Sequence, residues 1–311
     1  MDINIIHNED CLVTMKTKID KKSIDIVLTS PPYNMTKRKG GYADKQPRYD
    51  SYNDWQDEET YLNWTVDVFN SFDEILKSNG VILYNFSYSI ENPALPYSIV
   101  CEILKNTPFT IADTIIWKKN HAIPHPASYN RLNRIFEFIY VICRKDEILT
   151  FEANKDVASV SSTGQNYYEI IDNFIVAKNN DGSNPYNKAT YSTELCDKLL
   201  GIYAKDNSVV YDPFMGTGTT ALSCINRNLK YIGSELSLQQ IEYFNHRIQL
   251  EETKSEIEEN KRRLKQEKEK ERAEREAEKN KRKQKKEKNV KKSIDKSDLG
   301  RCAGELHLGE N

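Results

Sequence analysis

At 311 residues and 38% apolar content, the chain can bury one sizeable core, as one large domain or two small ones. Its formal net charge of −2 excludes a uniformly basic body, and the charge is uneven: residues after 250 hold 20 Lys+Arg against 16 Asp+Glu, leaving the tail at +4 and the body at −6. No segment approaches the ~20 apolar residues of a membrane span, and MDINIIHNED lacks the basic start and long apolar run of a signal peptide.

Ile3–Ile6 reads as a short strand and Ile24–Leu28 as a second one, buried on both sides. That second strand runs into VLTSPPYNM, where Pro31 and Pro32 stop it. In EETYLNWTVDVFNSFDEILKSNG the apolar residues fall at helical spacing, and Asn79-Gly80 reads as the C-cap. VILYNFS follows as a strand, ALPYSIVCEILKN as a helix, and DTIIWKK and IFEFIYVIC as strands, the last suited to be an antiparallel member. Next come STELCDKLLGIY (a helix with a Ser192 cap), SVVYDP (strand), GTTALSCINRN (helix), KYIGSEL (strand) and SLQQIEYFNHRIQLEE (helix). Alternation of this kind predicts an α/β fold with a mostly parallel, doubly wound sheet.

Two stretches break the rhythm. Residues 35–58 are polar and carry Lys37, Arg38, Lys39 and Arg48; residues 145–188 are polar with only a weak apolar pattern around NYYEIIDNFIV. Both read as long loops or a small inserted subdomain, the kind of segment that carries function on a rigid scaffold. Residues 251–292 are almost all Glu, Lys and Arg, and Ile257 and Leu264 alone cannot sustain a coiled-coil seam. A solvated helix held by i,i+4 Glu–Lys pairs is expected, with a basic end over Lys279–Lys292 as a candidate phosphate-binding arm. Residues 293–311 read as a disordered tail. The six cysteines form no Cys-x-x-Cys pair, which argues against a zinc site and a disulfide framework and implies a reducing, cytoplasmic setting.

Chemistry concentrates in two turns. VVYDPFMGTGTTALSCINRN is a strand, a turn holding Gly216 and Gly218, then a helix. Glycines let a backbone approach a ligand closely, and a helix start offers free N–H groups. No Gly-Lys-Ser/Thr follows, so this is no Walker loop, and the dinucleotide fingerprint also fails. The next strand ends at Glu235, where a carboxylate can take both hydroxyls of a ribose or merely end a strand and cap a helix. The earlier turn, Ser30-Pro31-Pro32-Tyr33, ends a strand and also presents a hydroxyl and an aromatic face.

TSPPY near the start, with DPFMGTGTT and YIGSEL later, resembles the β-class of DNA amino-methyltransferases, and similar text lies between them in YLNWTVDVFNSFDEILKSNGVILYNFS, TIIWKKN and NKATYSTELCDKLL. Such enzymes transfer a methyl group from S-adenosyl-L-methionine to the exocyclic amine of cytosine (N4) or adenine (N6). The order, Pro-Pro-Tyr turn before glycine turn, separates them from protein-glutamine and many RNA amino-methyltransferases. The resemblance covers residues 3–250 and implies a Rossmann-like, seven-stranded sheet with one antiparallel strand.

It also implies roles. A base amine is a poor nucleophile because its lone pair is delocalised into the ring. Ser30 Oγ and the Pro31 carbonyl would grip its N–H bonds, Pro32 would fix the turn, and Tyr33 would stack on a base taken out of the duplex. The sulfonium methyl is already activated, so catalysis is chiefly positioning and electrostatics. No Pro-Cys dipeptide occurs, which argues against carbon-5 cytosine methylation. Asp212, Phe214, Gly216 and Gly218 would line the cofactor pocket, with Thr219 and Thr220 at its carboxylate and Glu235 at its ribose. Thr190 and Tyr191 would close over the methionine end, although Asn187-Lys188 stands where the family often has His-Pro. Asp10 would reach the adenine or cap a helix, with Glu9 where the family usually has Gly. Trp117, Arg134 and Glu137 fall in family-like strands and receive no chemical role. Serine at position 30 favours cytosine and leaves adenine open. Double-stranded DNA is the implied partner, with room for a homodimer and a cognate restriction endonuclease.

Overall fold

A computed structural model describes residues 1–34, 56–88, 92–123, 129–130, 132–182, 186–187, 190–250, 261–270, 272–273 and 276. The chain divides into two units, Met1–His246 and Arg247–Asn311. Within the second unit residues 261–270 form an exposed helix, as the charged sequence predicts. The basic end over 279–292, the tail over 293–311 and the basic loop residues Lys37, Arg38, Lys39 and Arg48 lie outside the described residues.

In chain order the first unit runs β1 (Ile5–His7), α1 (Cys11–Thr17), β2 (Ile24–Thr29), α2 (Glu58–Ile75), β3 (Leu76–Phe86), α3 (Leu95–Asn106), β4 (Phe109–Ile123), β5 (Arg134–Arg144), β6 (Val157–Val160), β7 (Asn166–Tyr168), β8 (Phe174–Ala177), α4 (Thr193–Tyr203), β9 (Val209–Asp212), α5 (Thr219–Asn226) and β10 (Lys230–Ser234). A further helix starts at residue 238. The main sheet has the order β1-β10-β9-β2-β3-β5-β4-β8. All neighbours are parallel except β5, which is antiparallel to both β3 and β4. IFEFIYVIC is therefore the antiparallel member. The sheet has eight strands among the described residues rather than seven. The eighth, β8, comes from the 145–188 segment read as loop, where only Ile175 and Ala177 of its four residues are buried. So short an alternation is too weak a signal to read from sequence. The same segment supplies the separate hairpin β6–β7, fully exposed.

The central strands are apolar on both faces, as a covered parallel sheet requires. Ile82, Tyr84 and Phe86 join Tyr61, Val68, Phe69 and Phe72 of α2 and Leu95, Ile99 and Ile103 of α3 in one cluster. Full burial of each such side chain contributes about 1.5–3 kcal/mol. Helices α4 and α5 pack on each other and add no residue to this cluster. One expectation shifts by a turn: α2 stops at Ile75 rather than at Asn79-Gly80. Leu76 is fully buried and pairs with Ile24, then the pairing jumps to Ile26↔Val81. Residues 77–80 bulge out between, with Asn79 at φ 57° and Lys77 Nζ 2.7 Å from Asp25 Oδ2. The Asn-Gly pair turns a bulge, not a helix end.

Candidate active site

Ligands of doubly wound sheets collect beyond the C-terminal strand ends, where the strand order reverses. Here that point lies between β2 and β9, paired through Ile26↔Val210 and Val27↔Tyr211. The two turns singled out in the sequence leave these adjacent strands. A bond from Thr29 Oγ1 to Asp212 Oδ1, 2.7 Å, joins their roots.

The glycine turn is held from below and from the side. Asp212 is 1% exposed and also accepts from Phe214 N (3.0 Å), Thr220 Oγ1 (2.6 Å) and Tyr191 OH (3.1 Å). Burial raises its carboxyl above the ordinary aspartate range, and those donors pull it back. Tyr191, buried, has its phenol pushed well up by burial and then by the Asp212 charge, so it stays a donor. Gly216 and Gly218 take φ of 56° and 78°. A Cβ on Gly218 would sit 2.0 Å from Phe244 Cδ2, so only glycine fits there. Glu235 ends its strand and holds the neighbouring backbone: Oε2 accepts from Gly216 N (2.8 Å) and Oε1 from Ser237 N (2.9 Å), and the residue borders the cavity.

The Ser-Pro-Pro-Tyr turn is tied down by α2. Tyr61 OH donates to the Pro32 carbonyl at 2.6 Å. Asn34, at φ 48°, exchanges two hydrogen bonds with Gln56. The Tyr33 ring lies 4.6 Å from Phe86, and its hydroxyl is 3.0 Å from Ser30 Oγ.

Between the turns lies a cavity of about 420 Å³. Ser30, Pro31, Pro32 and Tyr33 form one wall. Phe214, Gly216, Thr219 and Glu235 form another, and Asp10, Thr190 and Tyr191 complete the predicted set on it. Asp212, Gly218 and Thr220 are not on the surface of the cavity. Asp212 and Thr220 are spent on each other and on Tyr191, behind the wall, because a buried carboxylate must collect donors. Asp10 caps α1, accepting from Leu12 N at 2.8 Å, as well as bordering the cavity.

Sequence reasoning missed the floor beneath Ser30. Glu137, 9% exposed on β5, accepts from Lys119 Nζ on β4, from Asn85 Nδ2 (3.1 Å) and from Tyr33 OH (3.2 Å). Lys119 lies 4.9 Å from the Trp117 ring centroid, and both line the cavity. A glutamate inside the apolar run IFEFIYVIC was the available signal, since a buried acid needs a partner. Aromatic walls were equally hidden: Trp64 on α2 stands 5.5 Å from Phe214 and 5.6 Å from Tyr61.

A family model described as DNA methylase, of the N6/N4 type, matches residues 24–246. The chain is 24% identical to the type II methyltransferase M.BglII of Bacillus subtilis over 257 residues, covering 77% of this chain and 67% of that one. It is 25% identical to the DNA adenine methyltransferase YhdJ of Escherichia coli K12 over 271 residues, 79% of this chain and 82% of the other. Among solved structures, the cytosine-N4-specific PvuII DNA methyltransferase superposes with a TM-score of 0.57 at 17% identity, over 75% of this chain and 81% of that one. The M1.HpyAVI–SAM complex superposes at 0.50 and 20% identity, over 78% and 97%. With the family model spanning most of the fold and the two turns meeting over one cavity, this chain belongs to the N6/N4 DNA methylases, the DNA amino-methyltransferases.

Proposed function

We propose that the protein transfers the methyl group of S-adenosyl-L-methionine to the N4 amine of a cytosine taken out of double-stranded DNA. The observation that carries this reading is the single cavity between Ser30–Tyr33 and Phe214–Thr219. In it Glu235 binds the ribose, Asp10 faces the adenine, Thr190, Tyr191 and Thr219 face the methionine end, and Asp212, Gly218 and Thr220 build the turn from behind. The residues fit the cofactor: the Gly216 turn leaves no side chain between backbone and ligand, and an acid stands at the next strand tip. When bound, the cofactor supplies an activated methyl. The chain's own part is to hold the base and accept hydrogen bonds from its amine. Ser30 Oγ and the Pro31 carbonyl receive the two N–H bonds, and Tyr33 stacks on the ring.

A serine, neutral and short, favours cytosine. The likeness to YhdJ, named as an adenine methyltransferase, keeps adenine N6 as the second reading. Residues 1–250 form the catalytic domain in this reading, with 35–58 and 145–188 reading the target sequence and 251–292 lying outside the chemistry. A cytoplasmic location belongs to the same reading; among the described residues no helix is long and apolar enough to cross a membrane. The test is direct: incubate the protein with DNA and labelled S-adenosyl-L-methionine, digest, and identify the nucleoside. N4-methylcytosine is expected. N6-methyladenine would move the reading to its alternative, and no transfer to any DNA would refute it.

A further inference from the structure

The hydrogen bonds below Ser30 have a direction, and it can be read from acceptors that own no protons. Glu137 is a carboxylate paired with Lys119, so both its oxygens only accept. Asn85 faces Glu137 Oε2 at 3.1 Å and the Phe138 carbonyl at 3.1 Å, two acceptors. Its NH2 group must point there, which turns Asn85 Oδ1 toward Tyr33 OH at 3.2 Å. Tyr33 OH therefore meets two acceptors, Asn85 Oδ1 and Glu137 Oε2, and its one proton is committed to them. Toward Ser30 the phenol oxygen can only accept. Ser30 must donate across the 3.0 Å contact, and what its Oγ has left for the cavity is lone pairs.

We infer that Glu137, held by Lys119, is a positioning residue that sets the polarity of the Ser30 hydroxyl through Asn85 and Tyr33, making the serine a one-way acceptor and the site selective for bases with an amine over bases with a carbonyl at the reacting position. A free serine hydroxyl would donate to a carbonyl as readily as it accepts from an amine. Here it cannot, so thymine O4 or hypoxanthine O6 would meet a lone pair instead of a proton. Repelling acceptors is an effective means of discrimination. The inference rests on the methyltransferase reading of this cavity and adds a role to Glu137, Lys119 and Asn85, which touch no reacting atom.

Glutamine at position 137 makes the test sharp. Lys119 is a pure donor, so it pins the glutamine oxygen on its own side and leaves the NH2 group facing Asn85 and Tyr33. Once Asn85 turns its oxygen to that NH2 group, giving up its bond to the Phe138 carbonyl, Tyr33 meets only donors on that side, donates to Ser30, and Ser30 presents a proton to the amine. Glu137→Gln is expected to lose about 100-fold in kcat, and Tyr33→Phe, which frees the serine but keeps the stacking ring, about 10-fold. Because Glu137 acts only through the Tyr33 hydroxyl, the double variant should match Tyr33→Phe alone, so the second substitution partly rescues the first. A merely structural glutamate gives losses that multiply, about 1000-fold, and that result overturns the inference. Affinity for S-adenosyl-L-methionine, measured by calorimetry on each full-length variant, should stay within about two-fold of the parent chain, separating misfolding from mis-set polarity. Absence of methyl transfer by the parent chain would refute both readings, whereas an active parent with multiplying losses sinks this one alone.

Discussion

Asp212 is the clearest place to test how the cofactor turn is built. Two uncharged replacements separate its hydrogen bonds from its charge. In Asp212→Asn the amide oxygen can still accept from Phe214 N and Thr29 Oγ1, and the NH2 group can donate to the hydroxyls of Thr220 and Tyr191. In Asp212→Ala, Tyr191 and Thr220 keep each other at 2.6 Å, but Phe214 N and the fully buried Thr29 hydroxyl lose their partner. Two orphaned groups at about 1–3 kcal/mol each make the alanine variant about 2–6 kcal/mol less stable than the asparagine variant. Urea unfolding at neutral pH measures the difference. Equal stability of the two variants would mean that the bonds do not hold the turn.

The charge is read by pH. The folded-state carboxyl lies above its unfolded value because burial disfavours the anion. Between those values the native chain binds the extra proton, so stability falls as pH rises through the window. Relative to Asp212→Asn, the parent chain should therefore gain stability as pH drops from neutral toward the ordinary aspartate range. Exposed carboxylates whose values are lowered, such as Glu74 and Glu152, are common to both proteins and cancel. A difference that stays flat, or widens in the other direction, would refute the burial argument.

Other substitutions probe the remaining walls. Ser30→Ala should nearly abolish turnover while calorimetry finds cofactor affinity intact; loss of that affinity would contradict the role of Ser30. Gly218→Ala forces a Cβ into the Phe244 ring at a positive φ, and a loss of more than about 2 kcal/mol in urea unfolding is expected, partly restored by Phe244→Ala. Tyr61→Phe removes the 2.6 Å bond to Pro32 and should slow turnover about 5-fold to 10-fold with a stability change near 1 kcal/mol. Deletion after residue 250 should weaken DNA binding only modestly at low salt, and an unchanged salt slope would make the basic end a bystander.

The layers of the fold were legible because period and punctuation carry them: Ser192 caps α4 as read, and IFEFIYVIC is the antiparallel strand. What was hidden depends on pairing between distant segments. The Leu76–Gly80 bulge exists because Leu76 pairs with Ile24, which no local signal announces. Of the site, the two turns were visible as motifs. The division of labour within them was not, because Asp212 and Thr220 look alike in sequence whether they face a ligand or each other. Glu137 stood out as an acid in an apolar run, but its partner Lys119 did not, since only the β4–β5 register brings them together.

The bond between Thr29 and Asp212 spans 183 positions of chain. It ties the first half of the active site to a strand synthesised long afterwards. As a chain grows, the Ser-Pro-Pro-Tyr turn emerges early but has no neighbour on that side until β9 and its turn exist. Long-range pairing of this kind costs loop-closure entropy before any contact repays it, so the site should form late and slowly. Methyl-donor binding would then report completed folding, and two separately expressed fragments divided between β8 and α4 should be inert alone and active once mixed.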